Sequence, residues 1–261
     1  MEVIIVEDPA AIGVIAADAV ESLLTRKPAA VLGLATGSSP LTIYDELAAR
    51  YAAGAISFGR ARGFTLDEYV GLPADHPERY RTVIDTVFVS RVDFAPGAVQ
   101  GPDGLAADIP AACVQYEKAI VDAGGIDLQI LGIGTDGHIG FNEPGSSLAS
   151  RTRIKTLTRQ TRIDNARFFD GDIDRVPTHC LTQGLGTIMA AGHVILVATG
   201  RSKAEAVHHL VEGPVSAMWP ATILQHHRHV TVLLDGAAAR RLQLADYYRE
   251  TYRSKPEWQG I

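Results

Sequence analysis

The sequence predicts an α/β protein: a mostly parallel sheet with helices on both faces, in a single domain. Three observations carry this. Short, wholly apolar runs alternate with amphipathic stretches along the 261 residues, as expected of β–α units whose strands are buried on both sides. Hydrophobic residues make up 46% and charged residues 21%, which excludes disordered, collagenous and coiled-coil chains. No Pro-, Gly- and Ser-rich linker interrupts the alternation, so one domain is expected over 1–261.

Taken in order, residues 3–6 read as the first strand. Asp8-Pro9 places an N-cap acceptor before a proline at the first helical position and opens an Ala-rich helix to about residue 24. Residues 30–35 form a second strand. Ser39-Pro40 repeats the cap-plus-proline signature and opens a helix ending near Gly54. Residues 61–66 give a third strand, and helical patterns follow over 77–90 and 110–123. Residues 126–133 are a strongly buried strand, whereas 134–144 hold too many glycines for either regular element. After a basic stretch, helices are expected near 161–169 and 180–191. Residues 193–199 and 229–234 are two more apolar strands, each leading into a helix. No internal repeat or low-complexity tract occurs.

Several function classes drop out. A formal net charge of -6 disfavours nucleic acid as a general partner, though a local basic patch can still hold a small anion. Two cysteines, Cys113 and Cys180, are no disulfide framework and too few for a structural zinc site, so a reducing, cytoplasmic setting is expected. No apolar run is long enough for a membrane span, and the acidic start lacks the basic region of a signal peptide. Gly132, Gly134 and Gly137 match a dinucleotide fingerprint after a strand. A helix and a ribose-binding acid should follow; instead come Pro144, further glycines and an acid-free stretch over 146–161. No Walker loop and no nucleophile elbow is present.

In open parallel sheets ligands gather at the carboxyl ends of the strands, and four such ends are polar here. After the second strand, Thr36, Gly37, Ser38 and Ser39 lead into a helix. Free N–H groups, hydroxyls and the positive helix end suit a phosphate, although an ordinary N-cap turn has the same letters. After the third, Asp67-Glu68-Tyr69 offers a carboxylate whose burial would bring its pKa into a general-base range; a turn acid is the alternative. After the fourth, Asp136, His138 and Glu143 put two carboxylates around an imidazole in a glycine-rich loop. That set suits proton transfer near neutral pH better than metal binding, because Asp136 and His138 are only two residues apart and no other histidine is tied to them. At the next, Lys203 opens a helix after Gly200, where a bound anion would relieve its opposition to the dipole. Between 151 and 167, six cations (Arg151, Arg153, Lys155, Arg159, Arg162 and Arg167) face one acid, Asp164, a composition suited to phosphate or to a solvated face. His208-His209 and His226-His227 with His229 read as surface or packing residues, and Met218-Trp219 as core or interface.

These stretches together resemble the glucosamine-6-phosphate deaminase family. The resemblance lies in Gly33-Leu-Ala-Thr-Gly-Ser-Ser-Pro40, Leu66-Asp-Glu-Tyr-Val-Gly-Leu72, Gly132-Ile-Gly-Thr-Asp-Gly-His-Ile-Gly-Phe-Asn-Glu-Pro144, Ser150-Arg-Thr-Arg-Ile-Lys-Thr156 and Asn165-Ala-Arg-Phe-Phe169. It implies a modified doubly wound, Rossmann-like α/β fold and a cofactor-free conversion of D-glucosamine 6-phosphate and water to D-fructose 6-phosphate and ammonia. By the resemblance, Asp67 moves a proton between C2 and C1 of the open-chain sugar and His138 assists ring opening. Asp136 and Glu143 orient that imidazole. Thr36, Gly37, Ser38, Ser39, Arg167 and Lys203 hold the 6-phosphate, no metal is involved, and residues 151–180 form a lid-like segment. Some relatives are homo-hexamers activated by N-acetylglucosamine 6-phosphate; the matching positions are Ser146, Arg153, Lys155 and Thr156. A C-terminal tyrosine joins that site in relatives, with Tyr247, Tyr248 and Tyr252 as candidates here. The phosphate turn departs from the family, reading Thr-Gly-Ser-Ser where many relatives have a second glycine. A 6-phosphogluconolactonase-like hydrolase on the same fold is the alternative; a non-catalytic sugar-phosphate sensor would not need Asp67, Asp136, His138 and Glu143 together.

Overall fold

The structure, a computed structural model, describes residues 1–256 and 258–261. Each apolar run becomes a strand because both of its faces are covered. β1 (Glu2–Val6) leads to α1 (Pro9–Arg26), whose first turn is capped as expected: Asp8 Oδ1 accepts the Ala10 N–H at 2.9 Å. β2 (Val31–Leu34), α2 (Leu41–Ala52) and β3 (Arg62–Thr65) follow, then β4 (Asp67–Tyr69), α3 (Tyr80–Val87), β5 (Val99–Gln100) and α4 (Ile109–Asp122). β6 (Leu128–Leu131) precedes the glycine-rich loop, β7 (Arg153–Thr156), α5 (Arg159–Asn165), β8 (His179–Thr182) and the single turn α6 (Leu185–Ile188). β9 (His193–Ala198), α7 (Ala204–Glu212), β10 (Val230–Asp235) and α8 (Ala245–Arg253) complete the order.

Seven strands form one sheet in the order β1-β10-β9-β6-β2-β3-β5, every pair parallel. The chain runs from β2 outward through β3 to β5, then returns to lay β6 on the other side of β2. The strand order therefore reverses between β2 and β6, and a crevice opens beyond their carboxyl ends. Ile4, Ile12, Leu32, Leu131, Leu196 and Leu233 fill the core without solvent exposure.

The sequence does not announce a second sheet. β4, β8 and β7 pair antiparallel, with Asp67 opposite Thr182 and Arg153 opposite Thr182 on the other side. A small core of Tyr69, Leu72, Phe141, Leu157, Phe169 and Cys180 packs there. This corrects the helix expected over 180–191: pairing on both sides draws 179–182 into a strand, and only Leu185–Ile188 is α-helical. Ser39 does not cap α2. Pro40 is the N-cap, with no side-chain hydrogen bond, and the turn closes through Leu41 N–H to Ser38 C=O at 3.4 Å. α3 starts at Tyr80 rather than 77, where the Glu68 carboxylate accepts the N–H groups of Tyr80 and Arg81, both at 3.0 Å. Among the described residues no helix is long and apolar enough to cross a membrane.

Candidate active site

Two loops meet at the reversal between β2 and β6. In the first, after β2, the Tyr44 hydroxyl accepts the Ala35 N–H at 3.0 Å and donates to the Ala35 carbonyl at 2.8 Å, which fixes where the turn begins. Gly37 then takes φ +87°, a left-handed conformation costly for other residues. Thr36 and Ser39 are half-buried, Gly37 and Ser38 exposed, and the turn ends on the amino end of α2. The second loop follows β6. A side chain at Gly132 would reach Ser39 Cβ at 3.5 Å, so the two loops touch.

Within the second loop the His138 ring folds back over Gly134, where any Cβ would lie 2.3 Å from the imidazole. His138 Nδ1 lies 2.7 Å from Asp136 Oδ1 but off the line of a ring N–H, a close contact without an aligned hydrogen bond. Burial works to raise the Asp136 carboxyl, but the His138 ring and backbone N–H outweigh it and hold it below the usual carboxylate range. Nitrogen and oxygen atoms of Asp136, His138 and Glu143 all lie within 4.8 Å of one another. Among the described residues this is the one group of His, Cys and acid side chains close enough to share a metal ion. Its members already spend atoms on each other and on Thr161, whose hydroxyl donates to Glu143 Oε1 at 2.5 Å. Glu143 Oε2 is buried without a hydrogen-bond partner.

The loop turns on Asn142. This fully buried amide donates to the carbonyls of Ile139 and Gln183, at 2.9 and 2.8 Å, and accepts from Arg153 at 2.9 Å. Thr182 Oγ1 accepts the Phe141 N–H at 3.0 Å. The small sheet thus grips the loop, and it also carries Asp67. A Cβ on Gly140 would lie 3.6 Å from Asp67 Oδ2, so the Asp67 carboxyl abuts the loop that bears His138. Asp67 is 5% exposed, and burial first, then the like charge of Glu68, pushes its carboxyl well above the usual range. Glu68 is also raised by burial, against the opposing pull of the Arg81, Tyr80 and Tyr69 N–H groups. Glu68 therefore caps α3, while Asp67 alone of the pair is free for chemistry.

Cations border the crevice on the far side. Gly200 N–H donates to Asp235 Oδ2 at 2.9 Å, which sets the turn that delivers Lys203 to the start of α7. Burial pushes the Lys203 ammonium down; Asp164 and Asp136 oppose this, and Arg167 adds to it. Arg167, exposed, lies over the Phe168 ring at 4.7 Å. Two cations near one another, one of them desolvated, form a site that an anion would stabilise.

Other residues of interest fall elsewhere. Ser146 is buried with an unpartnered hydroxyl, the Arg153 guanidinium is engaged by Asn142, Lys155 is half-buried and Thr156 exposed on β7. Tyr247, Tyr248 and Tyr252 share α8, and Tyr248 reaches Glu212 at 3.4 Å. His208 pairs with Glu212, His227 with the Ala191 carbonyl, and His193 stacks on His229 at 3.6 Å, all packing roles. Sequence reasoning passed over Thr161 and Thr182, single hydroxyls without a pattern. It read Trp219 only as core or interface. A Cβ on Gly137, at φ +81°, would lie 2.8 Å from the Trp219 ring, and Ala221 N–H donates to Gly137 C=O at 2.9 Å. Trp219 thus lies against the loop that carries His138.

Comparison with known proteins shows the family and the fold. The chain is 82% identical to a glucosamine-6-phosphate deaminase of Mycolicibacterium smegmatis, over the whole of both chains. The solved structure of a monomeric glucosamine-6-phosphate deaminase superposes with TM-score 0.89 at 42% identity, covering 92% of this chain and 99% of the other. The 6-phosphogluconolactonase of Trypanosoma cruzi superposes with TM-score 0.75 at 20% identity, covering 93% and 97%, which shows a shared fold alone. The family model for glucosamine-6-phosphate isomerases and 6-phosphogluconolactonase matches residues 10–233. With nearly the whole sheet and every loop of the crevice inside that match, the chain belongs to the glucosamine-6-phosphate isomerase/6-phosphogluconolactonase family.

Proposed function

We propose that this chain converts D-glucosamine 6-phosphate and water to D-fructose 6-phosphate and ammonia, in amino-sugar catabolism in the cytoplasm and without a cofactor. One observation carries the reading beyond the family: a buried, charge-averse carboxyl, Asp67, abuts the same loop that gathers Asp136, His138 and Glu143 into one cluster. The 82% identity to a named deaminase supports the same choice.

The chemistry follows from the groups. Thr36, Gly37, Ser38 and Ser39 on one side, with Lys203 and Arg167 on the other, hold the 6-phosphate. Anchoring the tail places the reacting carbons without taking part in the reaction. His138 moves a proton between O1 and the ring oxygen as the pyranose opens, and Asp136 and Glu143 stabilise the imidazolium form. Asp67 takes the proton from C2 of the open-chain sugar and returns it to C1 while one proton of the C2 ammonium passes to O1, so that C1 ends as CH2OH and C2 as a protonated imine. Water adds to that carbon, ammonia departs with the nitrogen, and the C2 ketone remains. A carboxyl raised by burial is basic enough to accept a carbon-bound proton and acidic enough to give it back. General acid–base groups of this kind contribute about 10²–10⁴-fold each.

Residues 1–261 act as one domain, with 151–180 as a lid-like segment over the crevice. Ser146, Arg153, Lys155 and Thr156 form the candidate effector set for N-acetylglucosamine 6-phosphate, in a homo-oligomer. An ammonia assay on glucosamine 6-phosphate, with and without the N-acetyl sugar phosphate, tests both parts; sedimentation on the same sample reads the assembly. Ammonia release is expected. Hydrolysis of 6-phosphogluconolactone without ammonia release would replace the reading with the hydrolase. A hyperbolic velocity curve indifferent to the N-acetyl compound would remove the effector set alone.

A further inference from the structure

We propose that Thr161 is a positioning residue, one that ties the first turn of α5 to Glu143 and thereby aims the second oxygen of that carboxylate at His138. The inference rests on the proposed deaminase reading for its kinetic consequence, but its geometry stands apart from it. Thr161 is buried and its Oγ1 lies 2.5 Å from Glu143 Oε1. An ionised carboxylate can only accept, so the single hydroxyl proton of Thr161 is committed to Glu143. Thr158 Oγ1, 2.9 Å away, must then donate to Thr161 Oγ1, and it also accepts the Thr161 N–H at 3.1 Å. The direction is fixed throughout: Thr158 hydroxyl to Thr161 hydroxyl to Glu143.

Thr158 is the N-cap of α5. In a capping box the third helical residue is a Glu or Gln that folds back on the cap; here that position is a threonine whose hydroxyl reaches a carboxylate on another element instead. The cap of this helix is therefore wired in series to the acid cluster. With Oε1 held, Glu143 Oε2 remains buried and unpartnered while the carboxylate lies within 4.8 Å of the imidazole. Lifting α5 would leave both oxygens of a buried carboxylate unpaired, a costly state. Seating of α5 and the aim of Glu143 are thus one event.

The test uses the whole chain with Thr161→Val, nearly the same shape without the hydroxyl, and Thr161→Ser, which keeps it. Thr161→Val should lower kcat for glucosamine 6-phosphate about tenfold, the scale of one lost charge-assisted hydrogen bond, with KM changed less than twofold. Thr161→Ser should restore kcat to within about threefold. In the free protein, the ring-nitrogen NMR signals of His138 should shift in Thr161→Val and return in Thr161→Ser. Unchanged His138 signals together with unchanged kcat in a folded Thr161→Val would overturn the assignment, as would equal losses in both variants. A wild-type chain that releases no ammonia would sink the deaminase reading instead, and the His138 signals would still decide the role of Thr161.

Discussion

Asp67 pays a cost in stability for its place. Its carboxyl is buried beside Glu68 and sits well above the ordinary range. The folded state therefore holds a proton that the unfolded chain gives up once the pH passes its ordinary value near 3.8. Stability attributable to this residue is full below that value and declines as the pH rises toward the raised one. Asp67→Asn should lose most turnover, about 10³-fold, yet melt a few degrees higher than wild type at pH 7, with no gain at pH 3.5. A thermal melt at the two pH values checks this; a lower Tm at pH 7 would show that the carboxylate is compensated. Asp136, His138 and Glu143 could be picked from the sequence because glycines bunch them in one loop at a strand end. Thr161, which touches the same cluster, could not: a lone threonine in a basic stretch carries no pattern, and only the packing of α5 brings it to Glu143.

At the level of elements, the glycine-rich loop is held from two sides. From the small sheet, Thr182 accepts the Phe141 N–H and Arg153 with the Gln183 carbonyl binds Asn142 of the loop; Trp219 packs on it from the segment before β10. His209 stacks on Trp219 at 3.9 Å, so the indole is itself backed. Trp219→Ala should free Gly137 and let His138 wander, lowering kcat about tenfold while the KM set by the phosphate contacts moves little. Steady-state kinetics resolve the two, and an equal rise in KM would argue for direct substrate contact. The parallel strands were legible because a strand covered on both faces must be continuously apolar. The antiparallel strand His179–Thr182 was not: its His-Cys-Leu-Thr has no alternation, and its state is decided by pairing on both sides, with β7 and with the distant β4, as in the pairing of Asp67 with Thr182. Expecting a helix there was an error of that kind. Ser39 misled for a simpler reason, since Pro40 supplied the entry to α2 and made a hydroxyl cap unnecessary.

For the molecule as a whole, the alternation of apolar and amphipathic stretches sufficed to predict a mostly parallel sheet with helices on both faces, and polar strand ends sufficed to point to one rim of it. The opposite rim carries a different liability. His193 is packed against His229 and Thr231, and burial first, then the charges of His229, His227 and Lys255, push its imidazole down to about 3. The unfolded chain takes up a proton near 6.5 that the fold refuses. Stability from this residue is complete above that pH and is lost as the pH falls toward 3. His193→Gln should flatten the dependence of unfolding free energy on pH by about 1.4 kcal/mol per unit around pH 5. Denaturant titrations at pH 4.5 and 5.5 measure the slope; an unaltered slope would mean the proton is taken up in the fold.

β1 lies at the sheet's edge, and its one strand neighbour is β10, with Glu2 beside Thr231 and Val6 beside Asp235. During synthesis β1 leaves the ribosome some two hundred residues ahead of β10, its neighbour in the sheet. Ile4, buried in the finished fold, lacks its strand neighbour Leu233 until then. The large sheet is therefore not closed in the order of synthesis: its last strand collects its first.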